Sequence, residues 1–249
     1  MFKGKTLDYI INKRGEKPLH MTLIDPDKQE PAKAGELVVK AKEAGSDAIM
    51  VGGTFGDAYG ERLNDTVKEI KKAGIPVILF PNSAQQLSPE ADALFFMSLL
   101  NSRGTQYIID EQMKGSLIVK SYEIEPLPMA YLITDSGAIT SAGWAGDVKP
   151  IPRDKPEFAV GYALAAKYFG MKFIYLEAGS GAKHSVPAEM VSAVKQAVGD
   201  DMLIIVGGGI RDSETAKQKI DAGADIIVTG TIAEDDESKF LEIIRAIKG

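Results

Sequence analysis

A charged amphipathic segment, then a glycine, then a short apolar run: this unit recurs along the chain, and the repetition limits what the chain can fold into. It reads AKEAGSDAIMVGGT at 41–54, KKAGIPVILF at 71–80, AKYFGMKFIYLEAG at 166–179, KQAVGDDMLIIVGGG at 195–209 and KIDAGADIIVTGT at 219–231. Gly45, Gly74, Gly170, Gly199 and Gly223 each stand where a positive-φ residue would end a helix before the next strand. The apolar runs are rich in Val, Ile and Leu and do not alternate, the pattern of parallel strands covered by helices on one face and packed on the other. LHMTLID (19–25), ALFFMS (93–98) and PMAYLIT (128–134) bring the strands to eight. Eight βα units in 249 residues predict an α/β fold, a (β/α)8 TIM barrel forming one domain over 1–249.

The third unit departs from the pattern. Between PVILF and ALFF stands only PNSAQQLSPEAD, too short for a full covering helix, so the third helix is expected to be short or missing. The longest irregular stretch, 134–156, follows the fifth strand, and a loop of that length in a compact domain is usually functional or mobile. AGSDAIMVGGT and AGADIIVTGT nearly repeat one another in the second and eighth units, through either duplication or convergence on one αβ turn. A net charge of −6 argues against nucleic acid as a partner, and the absence of cysteine excludes disulfides and thiolate metal sites. No signal-peptide core and no run of about 18 apolar residues is present, so the expectation is a cytoplasmic enzyme or binding protein.

Active sites of such barrels lie at the carboxyl ends of the strands. Asp25-Pro26-Asp27-Lys28 follows strand one, and Gly52-Gly53-Thr54 strand two. Strand six runs out through Tyr175, Leu176, Glu177, Ala178, Gly179, Ser180 and Gly181, strand seven through Gly207, Gly208 and Gly209, and strand eight through Gly230 and Thr231. Neither the P-loop nor the G-x-G-x-x-G pattern is present. Three adjacent glycine-bearing loops nevertheless point to backbone N–H groups closing on a phosphate, helped by the helix that starts near Asp212. Tight βα corners are the alternative use of the same glycines.

LIDPDK, VGGT, YLEAGSGA, VGGGIR and TGT, in this order over nearly the whole chain, resemble the geranylgeranylglyceryl phosphate synthase family. The resemblance implies a modified TIM barrel whose third helix is replaced by an irregular segment. It implies a reaction in which the C3 hydroxyl of sn-glycerol 1-phosphate attacks geranylgeranyl diphosphate, giving an ether and diphosphate in membrane ether-lipid synthesis; bacterial relatives use longer, heptaprenyl-type chains. Mg²⁺ is implied as cofactor, held by Asp25 and Thr54, as are a dimer or hexamer and room for peripheral membrane contact. The DDxxD pattern of many other prenyltransferases is absent; Asp235-Asp236 reads as the polar start of the last helix.

Glu177, beside the proposed phosphate cup, is placed to take the hydroxyl proton, and Tyr175, two residues earlier on the same strand, points to the same side. A salt bridge across the mouth is the structural alternative for Glu177, and a helix cap for Asp25. Lys28 and Arg211 fit either phosphate contacts or surface ion pairs, and Trp144 either covers a lipid tail or packs the loop. His20 and His184 have no partner at metal-ligand spacing. A phosphosugar isomerase using Asp25 and Asp135, a flavin-binding barrel and a non-catalytic metabolite-binding barrel are the competing readings. ALFFMSLLNS beside the weak third unit is a candidate subunit interface.

Overall fold

The computed structural model describes residues 4–56 and 59–249. Eight strands form a closed parallel barrel in sequential order: β1 (Leu19–Ile24), β2 (Ala48–Val51), β3 (Val77–Leu79), β4 (Ala93–Leu99), β5 (Glu125–Ile133), β6 (Phe173–Glu177), β7 (Leu203–Gly207) and β8 (Ile226–Thr229). β1 closes the ring against β8, with Leu19 opposite Ile226 and Thr22 opposite Thr229. The five glycines read as helix stops all have positive φ, and Gly45 (φ 115°) returns its N–H to the carbonyls of Ala41 and Lys42 at the end of the helix α2, Pro31–Ala44.

The sequence pattern did not show the first helix. α1 (Lys5–Glu16) precedes β1 and closes the amino-terminal end of the barrel. Its Leu7 and Ile10 join the interior cluster of Met21, Met50, Phe95 and Phe173, and Glu125 at the start of β5 accepts from the N–H groups of Thr6 (2.8 Å) and Leu7 (3.0 Å). A carboxylate on the first N–H groups of a helix satisfies donors that have no intrahelical partner. Only Thr6, Leu7 and Ile10 of its twelve residues are buried, too few to print a helical period on the sequence.

α2 and α3 (Gly60–Lys71) cover β1 to β3, and no helix follows β3. The segment 80–92 crosses directly to β4, some of its N–H groups met by backbone carbonyls and others by side chains. Gln86 Oε1 accepts from Asn82 N (2.9 Å) and Glu111 Oε2 from Ala84 N (2.9 Å). After β4 come a π-helical turn (Gln106–Asp110) and α4 (Glu111–Tyr122). ALFFMSLLNS offers little free surface to a partner: it is β4 and its exit, paired with β5 from Ala93 to Leu99 and with β3 at Ala93 and Leu94, with Phe95 fully buried. The apolar surface in this part of the fold lies instead on the following turn and helix, where Ile109, Met113 and Leu117 are exposed at a spacing of four.

The long stretch after β5 is structured. It carries α5 (Ser141–Ala145) and is tied back by Asn101, whose Nδ2 donates to the carbonyls of Ile133 (2.8 Å) and Lys149 (3.0 Å). α6 (Pro156–Tyr168), α7 (Ala188–Val198), α8 (Ser213–Asp221), a short α9 (Thr231–Asp235) and α10 (Glu237–Lys248) complete the outer layer. Asp236 caps α10 by accepting from Lys239 N (3.1 Å), as the polar start of a last helix requires. Among the described residues no helix is long and apolar enough to cross a membrane.

The near-repeat of the second and eighth units has a common physical task. Asp47 Oδ2 accepts the N–H of His20 in β1 (2.9 Å), and Asp225 Oδ2 that of Ile204 in β7 (2.8 Å), so each aspartate meets a donor of the strand before its own. Lys248 pairs with Asp47 at 2.7 Å and Arg14 with Asp225 at 2.7 Å, so neither buried carboxylate lacks a cation.

His20 is structural. Fully buried beside Phe240 of α10, it contacts Ser46 Oγ through Nδ1 (3.0 Å) and Thr229 Oγ1 through Nε2 (2.8 Å). Burial first, and the Lys248 ammonium second, push its pKa down to about 3. The unfolded chain therefore binds a proton near pH 6.5 that the folded chain refuses until about pH 3, and stability present above pH 6.5 is lost as pH falls through that window. The expected slope from this residue is about 1.4 kcal/mol per pH unit. Urea unfolding at pH 7, 6 and 5 should show a shallower loss in His20→Gln than in the parent; equal slopes would remove His20 from the account.

Candidate active site

The carboxyl ends of the strands surround one cavity of about 330 Å³ with two unlike ends. The polar end is lined by Asp25 and Thr54 from the loops after β1 and β2, by Tyr175, Glu177, Gly179, Ser180 and Gly181 from β6 and its exit, and by Gly208, Gly209, Arg211, Gly230 and Thr231. The other end is apolar: Phe80, Leu87, Leu94, Phe96, Tyr107 and Val119 border the space beside the helix-less third unit.

Strand alternation sorts the β6 residues. Tyr175 and Glu177 face the cavity, while Leu176 and Ala178, both fully buried, pack outward against Ile174, Val206 and the helices. The expectation that Leu176 and Ala178 touch a ligand therefore fails for their side chains and leaves only their backbone. Glu177 is 7% exposed, and its Oε1 accepts from Gly179 N at 2.5 Å. Burial raises its pKa; the Tyr175 hydroxyl and the N–H groups of Gly179 and Ala178, which bond the carboxylate, offset part of the rise. No cation pairs with Glu177 among the described residues, so the cross-mouth salt bridge is not formed. The Tyr175 phenol is held well above its ordinary pKa by burial and by Glu177, and stays protonated as a donor. Tyr131 and Phe80 pack on Tyr175 with ring centroids 5.3 and 5.7 Å away, joining the polar and apolar ends by an aromatic wall that sequence reading did not place.

The glycine triplet after β7 makes room first of all for the protein itself. A Cβ on Gly207 would fall 2.2 Å from the Tyr175 hydroxyl, one on Gly208 2.2 Å from Glu177 Oε1, and one on Gly209 2.9 Å from Ser185 N. Gly207 is not on the cavity wall, so its expected ligand contact is replaced by Tyr175. Gly208, at φ 80°, is the seat of the Glu177 carboxylate. Gly208→Ala is accordingly expected to displace Glu177 and cut turnover on the order of 10²-fold, more than it weakens any phosphate ligand. Gly230→Ala, whose Cβ would stand 3.3 Å from Leu23, leaves Glu177 alone and serves as the contrasting variant. Equal effects of the two on turnover and phosphate affinity would refute this division. Ser180 Oγ and Thr231 Oγ1, 2.9 Å apart, join the β6 and β8 loops over the mouth.

Asp25 is half-buried, its Oδ1 accepting from Asp27 N at 3.1 Å, so its local turn is real, yet it also faces the cavity. Burial raises its pKa despite that bond and the nearby Lys28 ammonium. Gly53 lies directly against it: a Cβ there would be 2.5 Å from Asp25 Oδ1. No group of three His, Cys, Asp or Glu residues able to hold a metal occurs among the described residues. A half-buried carboxylate with a threonine on the same cavity wall fits a hard cation that takes one or two carboxylates and fills its other positions with water and phosphate. Lys28 is turned to Glu234 (3.0 Å), and Arg211 donates to the Ala182 carbonyl (2.8 Å) while lining the cavity. Trp144 is 72% exposed and off the cavity wall, although its neighbours Ser141, Ala142, Ala145 and Gly146 line it. Asp135 is exposed, accepts from Gly137 N (2.8 Å) and does not reach the cavity; His184 lies in the adjoining loop, its N–H on Ser136 O.

A closed barrel that gathers a buried carboxylate, a half-buried one and glycine-bearing loops at the carboxyl ends of its strands has its candidate chemistry where (β/α)8 enzymes place their active sites. Its family follows from comparison with known proteins. The chain belongs to the PcrB family, whose model matches residues 10–248. It is 52% identical over 246 residues to the geranylgeranylglyceryl phosphate synthase of Methanosarcina acetivorans, covering 97% of each chain. It is 51% identical to that of Thermococcus kodakarensis, covering 99% of this chain and 98% of the relative. The crystal structure of (S)-3-O-geranylgeranylglyceryl phosphate synthase from Thermoplasma acidophilum, in complex with sn-glycerol-1-phosphate, superposes with a TM-score of 0.91 at 41% identity, covering 99% of both chains. Tryptophan synthase from M. tuberculosis, at 16% identity and a TM-score of 0.61, shares the fold alone.

Proposed function

We propose that this protein is a prenyltransferase that joins the C3 hydroxyl of sn-glycerol 1-phosphate to geranylgeranyl diphosphate, a step of membrane ether-lipid synthesis. The observation that carries this reading is the single cavity in which Glu177 and the glycine loops adjoin an apolar arm beside the missing third helix. A polar acceptor and a long hydrocarbon tail need two such ends in one site. The relatives named above support the reaction class and the glycerol phosphate.

Glu177 accepts the C3 hydroxyl proton while the oxygen forms its bond to the allylic carbon of the prenyl chain. The bond from that carbon to the diphosphate oxygen breaks, and the diphosphate leaves with the electron pair. Tyr175 orients Glu177 and stays protonated. Ser180, Gly181, Gly230 and Thr231 hold the acceptor's phosphate in this reading, and Phe80, Leu94 and Tyr107 border the tail and exclude water from the developing cation. Asp25 and Thr54 would hold Mg²⁺, which when bound neutralises charge on the leaving diphosphate. A homo-oligomer is part of this proposal, supported by the exposed Ile109, Met113 and Leu117. The isomerase alternative loses its second carboxylate, because Asp135 lies outside the cavity.

The test is incubation of the purified protein with labelled geranylgeranyl diphosphate and each enantiomer of glycerol phosphate, with and without a chelator. Chelator-sensitive ether formation with the 1-phosphate is the expected result. Turnover of neither enantiomer with prenyl diphosphates of any length would overturn the proposal.

A further inference from the structure

We propose that Asn82 positions the loop that holds the cation; this rests on the reading that Asp25 and Thr54 hold a divalent cation. Asn82 stands in the segment that replaces the third helix, and its Nδ2 donates to two consecutive carbonyls across the mouth, Gly53 O (2.8 Å) and Thr54 O (3.1 Å). Its own N–H is held by Gln86 Oε1 (2.9 Å), and Gln86 is itself buried, so the residue is anchored from behind.

Those two bonds decide which way the amide points. Turning it by half a rotation would set Oδ1 against two carbonyl oxygens, so the donor must face the β2 loop. Held that way, Oδ1 is buried, and it accepts no hydrogen bond from the described residues. A buried acceptor without a donor is unfavourable, so the two bonds to the β2 loop are kept at a cost.

The barrel does not need this clamp. β2 and β3 already pair from Ile49 with Val77 to Val51 with Leu79, and Phe80 N donates to Val51 O (2.7 Å) beyond them. What the clamp holds is the irregular Gly53-Thr54 backbone, and Gly53 is the residue on which the Asp25 carboxylate rests. Asn82, Gly53, Thr54 and Asp25 thus form one connected unit on the wall of one cavity.

Calorimetric titration of the full chain with inorganic diphosphate, with Mn²⁺ and then in the presence of a chelator, tests this without any prenyl transfer. Asn82→Leu and the smaller, polar Asn82→Ser, which cannot bridge both carbonyls, should each weaken manganese diphosphate binding roughly 10–100-fold. Metal-free diphosphate and sn-glycerol 1-phosphate affinities should stay at the parent value. A folded variant that retains the manganese-dependent gain, or that loses metal-bound and metal-free diphosphate equally, would overturn the role of Asn82. Asp25→Asn is the control: if it keeps the manganese-dependent gain, the ion is not at Asp25, and the metal assignment beneath this proposal fails first.

Discussion

Glu177→Gln is expected to lower prenyl-transfer turnover by about 10²–10⁴-fold, the usual contribution of a positioned general base. The substitution keeps the shape of a side chain seated against Gly208 and bonded by Gly179 N, and removes only its ability to take a proton. Affinity for sn-glycerol 1-phosphate and for prenyl diphosphate should change little, so the loss should appear in kcat. The pH profile gives a second readout. A base must be ionised to act, and burial raises the pKa of Glu177, so activity should fall on acidification at a pH above the ordinary carboxylate range. Asp135→Asn should leave turnover unchanged, because that carboxylate caps an exposed turn outside the cavity. An active Glu177→Gln beside an inactive Asp135→Asn would reverse the mechanism in favour of isomerase-type chemistry.

Much of this architecture is legible in the chain because a parallel barrel writes its strands as uninterrupted apolar runs between glycine stops. Each of the five stops has positive φ, and each run became a strand. The absent third helix was legible from length alone, since the chain between β3 and β4 has no room for one. α1 was not, because three buried residues on a charged helix leave no periodicity to read. The same limit applies within the site. Asp25, Tyr175 and Glu177 could be singled out because carboxyl ends of strands are where such barrels place their chemistry, and strand alternation put Tyr175 and Glu177 on one side.

What could not be read were contacts between loops distant in sequence. The triplet Gly207-Gly208-Gly209 looks from the chain like a cradle for a ligand; its neighbours Tyr175, Glu177 and Ser185 belong to another unit and appear only when β6 and β7 pair. Asn82 escaped notice for a related reason. Its partners are backbone carbonyls 28 and 29 residues earlier, and a backbone acceptor has no residue type to recognise. Tyr131 lies in β5 and Phe80 just beyond the end of β3; that they meet Tyr175 between the two ends of the cavity depends on the closure of the ring.

Asp25→Asn is the other substitution with a large expected effect, and it isolates the leaving group as Glu177→Gln isolates the acceptor. The carboxylate is half-buried beside Gly53, its pKa is raised chiefly by desolvation, and its neighbour Lys28 is engaged by Glu234. Such a group is poorly compensated in the free protein and gains most from a cation. Asparagine keeps the oxygen that accepts from Asp27 N and removes the charge, so the turn after β1 should persist and folding should be unaffected. Turnover should fall by roughly 10²-fold or more, since stabilisation of charge developing on a leaving group is worth several kcal/mol. Binding of sn-glycerol 1-phosphate should be nearly unchanged, and excess Mg²⁺ should recover part of the lost rate. A variant with near-parental, chelator-sensitive activity would place the metal elsewhere. One that loses glycerol phosphate and diphosphate affinity together would show that Asp25 supports the mouth of the barrel rather than the ion.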